Sequence, residues 1–333
     1  MHGYKLSISF QTNKPLPVYA ELAKKAEEYG FDVITVYNDL LYQPAWLPLM
    51  EIARHTKHAR IGVAAMNPFT CHPINIAGNI ALINEAAKGR AYLGLTRGAW
   101  LDQIAVHPKR EITAMREALV CIRHLLEQNT EALDGEIFPL PAGQRLRWGI
   151  EHADIPFLLG AWGPKIISKC ARYVQEIKLG GSANPSLVPW YRQHLDGTES
   201  LANVAIVVGA VTVFDDDGTA ARELAKREVA LYLPVVAKND KTLQIDPQAL
   251  ERIETAVFKN DFQAAARDIS DELLARFAFA GTPADIVAQT EALIDAGVAR
   301  VEYGTPHGIS AYSGLKLLGE KVVPAFADRE ETA

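Results

Sequence analysis

The chain has 333 residues, 49% of them hydrophobic and 22% charged, with a formal charge of −6 spread without long runs. That composition suits a globular protein and argues against a nucleic-acid groove. No apolar run reaches the roughly 18 residues of a membrane span, and nothing near Met1 resembles a secretion signal.

Cys71, Cys121 and Cys170 are far apart and form no Cys-x-x-Cys pair, the usage of reduced thiols. A cytoplasmic protein with a small-molecule substrate, and with neither nucleic acid nor membrane as partner, is expected.

Lys5–Phe10 reads as a short buried strand, followed by one helix face at Tyr19, Leu22, Ala23, Ala26 and Tyr29 and a helix-ending Gly30. Val33–Tyr37, rich in β-branched residues, is a second strand, and Leu47–His55 a helix. Arg60–Ala65 is strand three, Pro73–Lys88 a helix, Ala91–Thr96 strand four, and Glu111–Glu127 a helix. Pro156–Ala161 and Glu176–Gly180 give two more strands around the helical Pro164–Tyr173. Asn203–Phe214 is a long apolar strand, Thr219–Leu274 is mainly helical, and a helix at Thr282–Ala296 leads to a strand at Arg300–Tyr303.

Eight strands in strict alternation with helices, and without clean polar alternation, predict a (β/α)8 TIM barrel. The alternative is a doubly wound sheet, but no Gly-x-Gly-x-x-Gly follows the first strand. "YGFDVITVY" (29–37) and "AGVARVEYG" (296–304) echo one another as helix end, glycine, link and strand. Residues 129–155 and about 215–281 exceed a minimal barrel and read as insertions into a single domain spanning 1–333, since no linker composition sets them apart.

A barrel of this kind reacts at the carboxyl ends of its strands. After strand five, Gly163-Pro164-Lys165 opens a helix, where proline suits the first position and unpaired N–H groups attract anions. After strand six, Gly180-Gly181-Ser182 can form a second anion-holding turn. Adjacent strands would set the two side by side, as a phosphate site at Gly163, Pro164, Lys165, Gly181 and Ser182.

His55 and His58 lack a third ligand and read as surface histidines, so no metal is expected. Asp215-Asp216-Asp217 reads as helix-starting acids, and Thr282-Pro283-Ala284-Asp285 as a capping box. No Gly-x-Ser-x-Gly elbow and no Cys-His pairing support covalent catalysis.

"GVAAMNPFTCHP", "RAYLGLTRG", "GPK", "AGTPADIVAQTEALIDAGVARVEYGTPHG" and "LKLLGEKVVPAF" together resemble the bacterial-luciferase-like superfamily, over about residues 5–326. The resemblance is greatest to its coenzyme F-420 (deazaflavin) branch, in particular the methylenetetrahydromethanopterin reductases. It implies a luciferase-like TIM barrel, hydride transfer between coenzyme F-420 and an organic substrate, and a homodimer. FMN is the alternative cofactor, in a monooxygenase or reductase; a cofactor-binding protein without turnover is a further alternative.

The resemblance also implies a bulge in strand three, often with a non-prolyl cis peptide, that presses on one face of the cofactor ring. The matching positions are Ala64 and Ala65, with Asn67 facing the cofactor pocket and Asn38 and Asp39 near the redox centre. Ser9 would face the substrate, and Trp46, Phe69, Trp100 and Trp162 are candidates for the pocket walls. The strand-one glutamate of the pterin reductases is replaced by Ser9, with Gln11 two residues on. Leu40 stands where the deazaflavin enzymes carry a histidine after Asp39. Ala99, Trp100 and Asp102 stand near the sugar-phosphate dehydrogenases' acid, so the resemblance assigns no general acid.

Overall fold

A computed structural model describes residues 3–195 and 204–331. Its strands are β1 (Lys5–Phe10), β2 (Val33–Val36), β3 (Arg60–Met66), β4 (Ala91–Thr96), β5 (Phe157–Gly160), β6 (Glu176–Gly180), β7 (Ala205–Phe214), β8 (Ala278–Gly281) and β9 (Arg300–Gly308). All pair in parallel, in the order β6-β5-β4-β3-β2-β1-β9-β7-β8, and a further β6–β7 ladder closes the ring.

The closed barrel is therefore β1 to β7 plus β9, the expected (β/α)8 architecture. β7 is long enough to serve three neighbours. Its first half pairs with β6, from Glu176↔Ala205 to Gly180↔Gly209, and its second half with β8, from Val211↔Ala278 to Phe214↔Gly281, while β9 runs along the other edge.

β8 is the ninth strand that the sequence reading lacks. It spans four residues and follows directly on the helix Asp271–Phe277, so the apolar run shows no break where the backbone changes form. The last barrel strand also continues past Tyr303 to Gly308, through a cis Thr305–Pro306 bond. Asn203, expected to open the seventh strand, lies outside the described residues; the strand begins at Ala205. The two echoed segments do end helices alike, with Gly30 and Gly297 at φ +87° and +91°, values that favour glycine.

The first insertion is tied down by one carboxylate: Glu117, on the helix Glu111–Leu126, accepts the backbone N–H groups of Glu136, Ile137 and Phe138. The second holds five short helices, Gly218–Val229, Leu233–Asn239, Pro247–Phe258, Phe262–Arg267 and Asp271–Phe277. Their apolar faces bury against Val213, Ala278 and Ala280 of β7 and β8. Asp217 caps the first of them, accepting from Thr219 N and Ala220 N. Thr282 and Asp285 form the expected capping box. Among the described residues no helix is long and apolar enough to cross a membrane, and no cluster of three metal-ligating side chains occurs.

Barrel interiors are usually filled by branched apolar side chains. This one is charged. Arg60, Glu176, Arg300, Glu302 and Lys178 follow one another through the lumen. Arg60 Nη1 lies 2.9 Å from Glu176 Oε1, Arg300 Nη2 2.7 Å from Glu176 Oε2 and Arg300 Nη1 3.6 Å from Glu302 Oε2, and Lys178 Nζ pairs with Glu302 Oε1. Thr35 donates to Glu302 Oε2 at 2.8 Å and stands 2.6 Å from the Tyr92 hydroxyl. Glycines make the room: a Cβ on Gly62 would lie 2.2 Å from the Tyr92 ring, and one on Gly209 2.9 Å from Glu302 Cβ.

Candidate functional site

The carboxyl ends of the strands open into one cavity of about 1320 Å³, larger than the few hundred to a thousand Å³ of an ordinary ligand pocket. Its floor is the top of the lumen, where Lys178 and Tyr37 emerge. Its roof comes from the second insertion, through Glu228, Tyr232, Leu233 and Val236. The length of that insertion gave no hint of this role, because nothing local in residues 215–281 states which face of the barrel it covers.

The register between β3 and β4 shifts between Val63 and Met66, and the Ala64–Ala65 peptide bond is cis. Both alanines line the cavity. Asn67 follows at the turn, its Oδ1 accepting the backbone N–H groups of Phe69 and Thr70 at 3.1 and 2.9 Å and the Thr70 hydroxyl at 3.0 Å. His72 then caps the helix Pro73–Ala86 by accepting from Ile74 N. Pairing β3 with a helix through an Asx turn and a proline start leaves a wall of small side chains facing the open space.

Asn38, Asp39, Trp46, Asn67, Trp100, Gly163, Lys165 and Gly181 also line the cavity, as does Trp162. Asp39 accepts from Gln11 Nε2 at 2.7 Å; burial raises its carboxyl above the ordinary range, against the pull of that bond and of the Lys178 charge. Asn38 Oδ1 accepts the N–H of Ala45 at 3.3 Å. Trp100 packs edge-on to Tyr232, and Trp162 donates to the carbonyl of Gly180 at 3.1 Å.

Four expected residues are not in the lining: Ser9, Phe69, Pro164 and Ser182. Phe69 packs against the core. Pro164 takes the first helical position. Ser182 is fully buried; its hydroxyl donates to the carbonyl of Arg276 and accepts the N–H of Asn184. The Gly181 and Ser182 N–H groups both point at the carbonyl of Gly209, at 2.7 and 3.3 Å. The second anion-holding turn read from the glycines thus has its donors committed, because β6 and β7 stay paired past Gly180. Ser9 lies under the floor, its hydroxyl 2.5 Å from the Tyr37 oxygen and 3.1 Å from the carbonyl of Tyr303.

Lys178, Tyr37 and His307 line the cavity and Glu302 pairs with Lys178; none of the four was among the expected site residues. Burial alone would raise the Glu302 carboxyl, but the Lys178 and Arg300 charges and the hydrogen bonds from Lys178 and Thr35 hold it below the ordinary range. The signal was a lysine and a glutamate inside otherwise buried strands, "EIKLG" and "RVEYG", where a charge needs a partner.

The match to known proteins extends over nearly the whole chain. Residues 5–300 fit the family model described as luciferase-like monooxygenase. A 5,10-methylenetetrahydromethanopterin reductase of Methanolobus tindarius is 26% identical over 324 residues, covering 95% of this chain and 98% of the relative. An F420-dependent glucose-6-phosphate dehydrogenase of Amycolatopsis mediterranei is 24% identical, covering 97% of each chain. The solved coenzyme F420-dependent tetrahydromethanopterin reductase of Methanopyrus kandleri superposes with a TM-score of 0.85 at 25% identity, covering 97% of this chain and 99% of its own. Matched by that family model over residues 5–300, the chain belongs to the luciferase-like monooxygenase family.

Proposed function

We infer that this protein is an oxidoreductase that moves hydride between coenzyme F-420 and a small organic substrate, in the manner of the methylenetetrahydromethanopterin reductases it is similar to. The observation that carries the reading is the bulged wall at Ala64–Ala65 facing a cavity of about 1320 Å³, which accommodates a flat ring and a substrate together. The related proteins named above supply the choice of a deazaflavin over FMN.

Bound there, reduced deazaflavin would supply a hydride. The chain's own residues supply position and polarity. The small side chains at Ala64 and Ala65 let the backbone approach a ring face, and Asn67 holds the turn behind them. Lys165, which lines the cavity with Gly163 and Gly181, offers a charge for the coenzyme's phosphate, with the first-turn N–H groups of its helix as further donors. A cytoplasmic homodimer completes the reading, and light scattering on the purified chain tests the assembly.

Fluorescence titration with F-420 and with FMN is the direct test. F-420 should bind the more tightly, and Lys165→Ala should weaken it about tenfold, as loss of one charge-assisted hydrogen bond does. Unchanged affinity in Lys165→Ala rejects the phosphate site. Failure of the wild type to bind F-420 rejects the function.

A further inference from the structure

The proton that accompanies hydride transfer needs a donor. Of the ionisable groups at the cavity floor, most are already engaged. Lys178 is paired with Glu302, Arg97 with Glu111 at 2.7 Å, and Asp39 accepts from Gln11. Tyr37 differs. It lines the cavity and follows directly on β2, whose Val36 is in register with Val63, so it stands level with Ala64 on the neighbouring strand. Its hydroxyl has a prepared seat: a Cβ on Gly304 would lie 2.8 Å from that oxygen.

The Ser9 hydroxyl has one proton and two oxygens within reach, Tyr37 at 2.5 Å and the carbonyl of Tyr303 at 3.1 Å. Aimed at Tyr37, it leaves the phenol O–H free to donate into the cavity. The Lys178 ammonium, 5.2 Å from the Tyr37 ring centroid, favours negative charge on the phenol.

We propose that Tyr37, held by Ser9, is the catalytic proton donor of this enzyme, for substrates with a polarised carbon–oxygen or carbon–nitrogen bond. The inference rests on the oxidoreductase reading above. As hydride from the reduced deazaflavin forms a C–H bond at the substrate carbon, an electron pair moves onto the heteroatom. That atom takes the Tyr37 proton, and the phenolate left behind accepts from Ser9 until solvent returns the proton. The coenzyme is oxidised by two electrons and the substrate reduced by two. Burial, together with the negative charges of Glu302 and Asp39, pushes the free phenol well above its ordinary value, which keeps it a donor at neutral pH.

The test uses the full chain with reduced F-420 and two probes, 5,10-methylenetetrahydromethanopterin and cyclohexanone, following the return of oxidised-coenzyme absorbance. Wild type should oxidise the coenzyme with at least one probe and show a solvent deuterium isotope effect. Tyr37→Phe should bind F-420 within about twofold of wild type and melt at the same temperature, yet turn over about 100- to 1000-fold more slowly without the isotope effect. Ser9→Ala should lose about tenfold, and Ser9→Thr should recover most of it.

Tyr37→Phe turning over at more than half the wild-type rate overturns the proposal alone. So does a wild type that binds the coenzyme but oxidises it with neither probe. A wild type that fails to bind F-420 overturns the oxidoreductase reading, and this proposal with it.

Discussion

His307 is 3% exposed on the cavity wall, with its Nε2 lacking a partner and its ring packed edge-on to Phe10. Burial pushes its pKa down to about 4 from an ordinary 6.5. As pH falls through 6.5 the unfolded chain takes up a proton that the folded chain refuses, so stability is full above that value and is lost down to about 4. Urea unfolding should show this group costing roughly 3 kcal/mol across the window, and His307→Gln should flatten that part of the profile. An equally steep loss in the variant would show that other groups carry it. Neither its place on the cavity wall nor its buried, neutral state is legible in the sequence. That state depends on Phe10 and Lys14, nearly 300 positions away.

Elements were easier to read than their contacts. Eight of the nine strands follow from β-branched or apolar runs, and helix starts at Pro73, Pro164 and Pro283 follow from proline chemistry. The glycines inside strands carried more than the reading took from them. Gly62 on β3 faces Tyr92 on β4 so closely that any Cβ must move the ring or the strand. Gly62→Ala should therefore cost about 1–3 kcal/mol through overpacking, read as a lower urea midpoint with an unchanged slope. A variant as stable as wild type would mean the lumen can repack around Tyr92. The N–H groups of Gly181 and Ser182 are committed for a related reason. Two glycines and a serine permit an anion-holding turn, but β7 supplies the carbonyl of Gly209 that occupies its donors.

Across the whole barrel, the five charges from Arg60 to Lys178 form one buried ladder from the amino end of the lumen to the cavity floor. Removing one member of a buried pair strands the others. Glu302→Leu should destabilise the fold by about 3–5 kcal/mol, measured by denaturant titration. Since the folded Glu302 carboxyl is depressed, its stabilisation holds above pH 4.5 and disappears as pH falls through the folded value. A loss under about 1 kcal/mol would show that the ladder contributes little to stability.

Local chemistry alone specified the alternation of strands and helices, the caps and the barrel class, because hydrophobic period, proline and glycine act over a few residues. Which charges meet in the lumen, which insertion roofs the cavity, and that the Ser9 hydroxyl reaches Tyr37 were decided only by the tertiary fold. Ring closure alone brings residues from opposite ends of the chain within hydrogen-bonding distance.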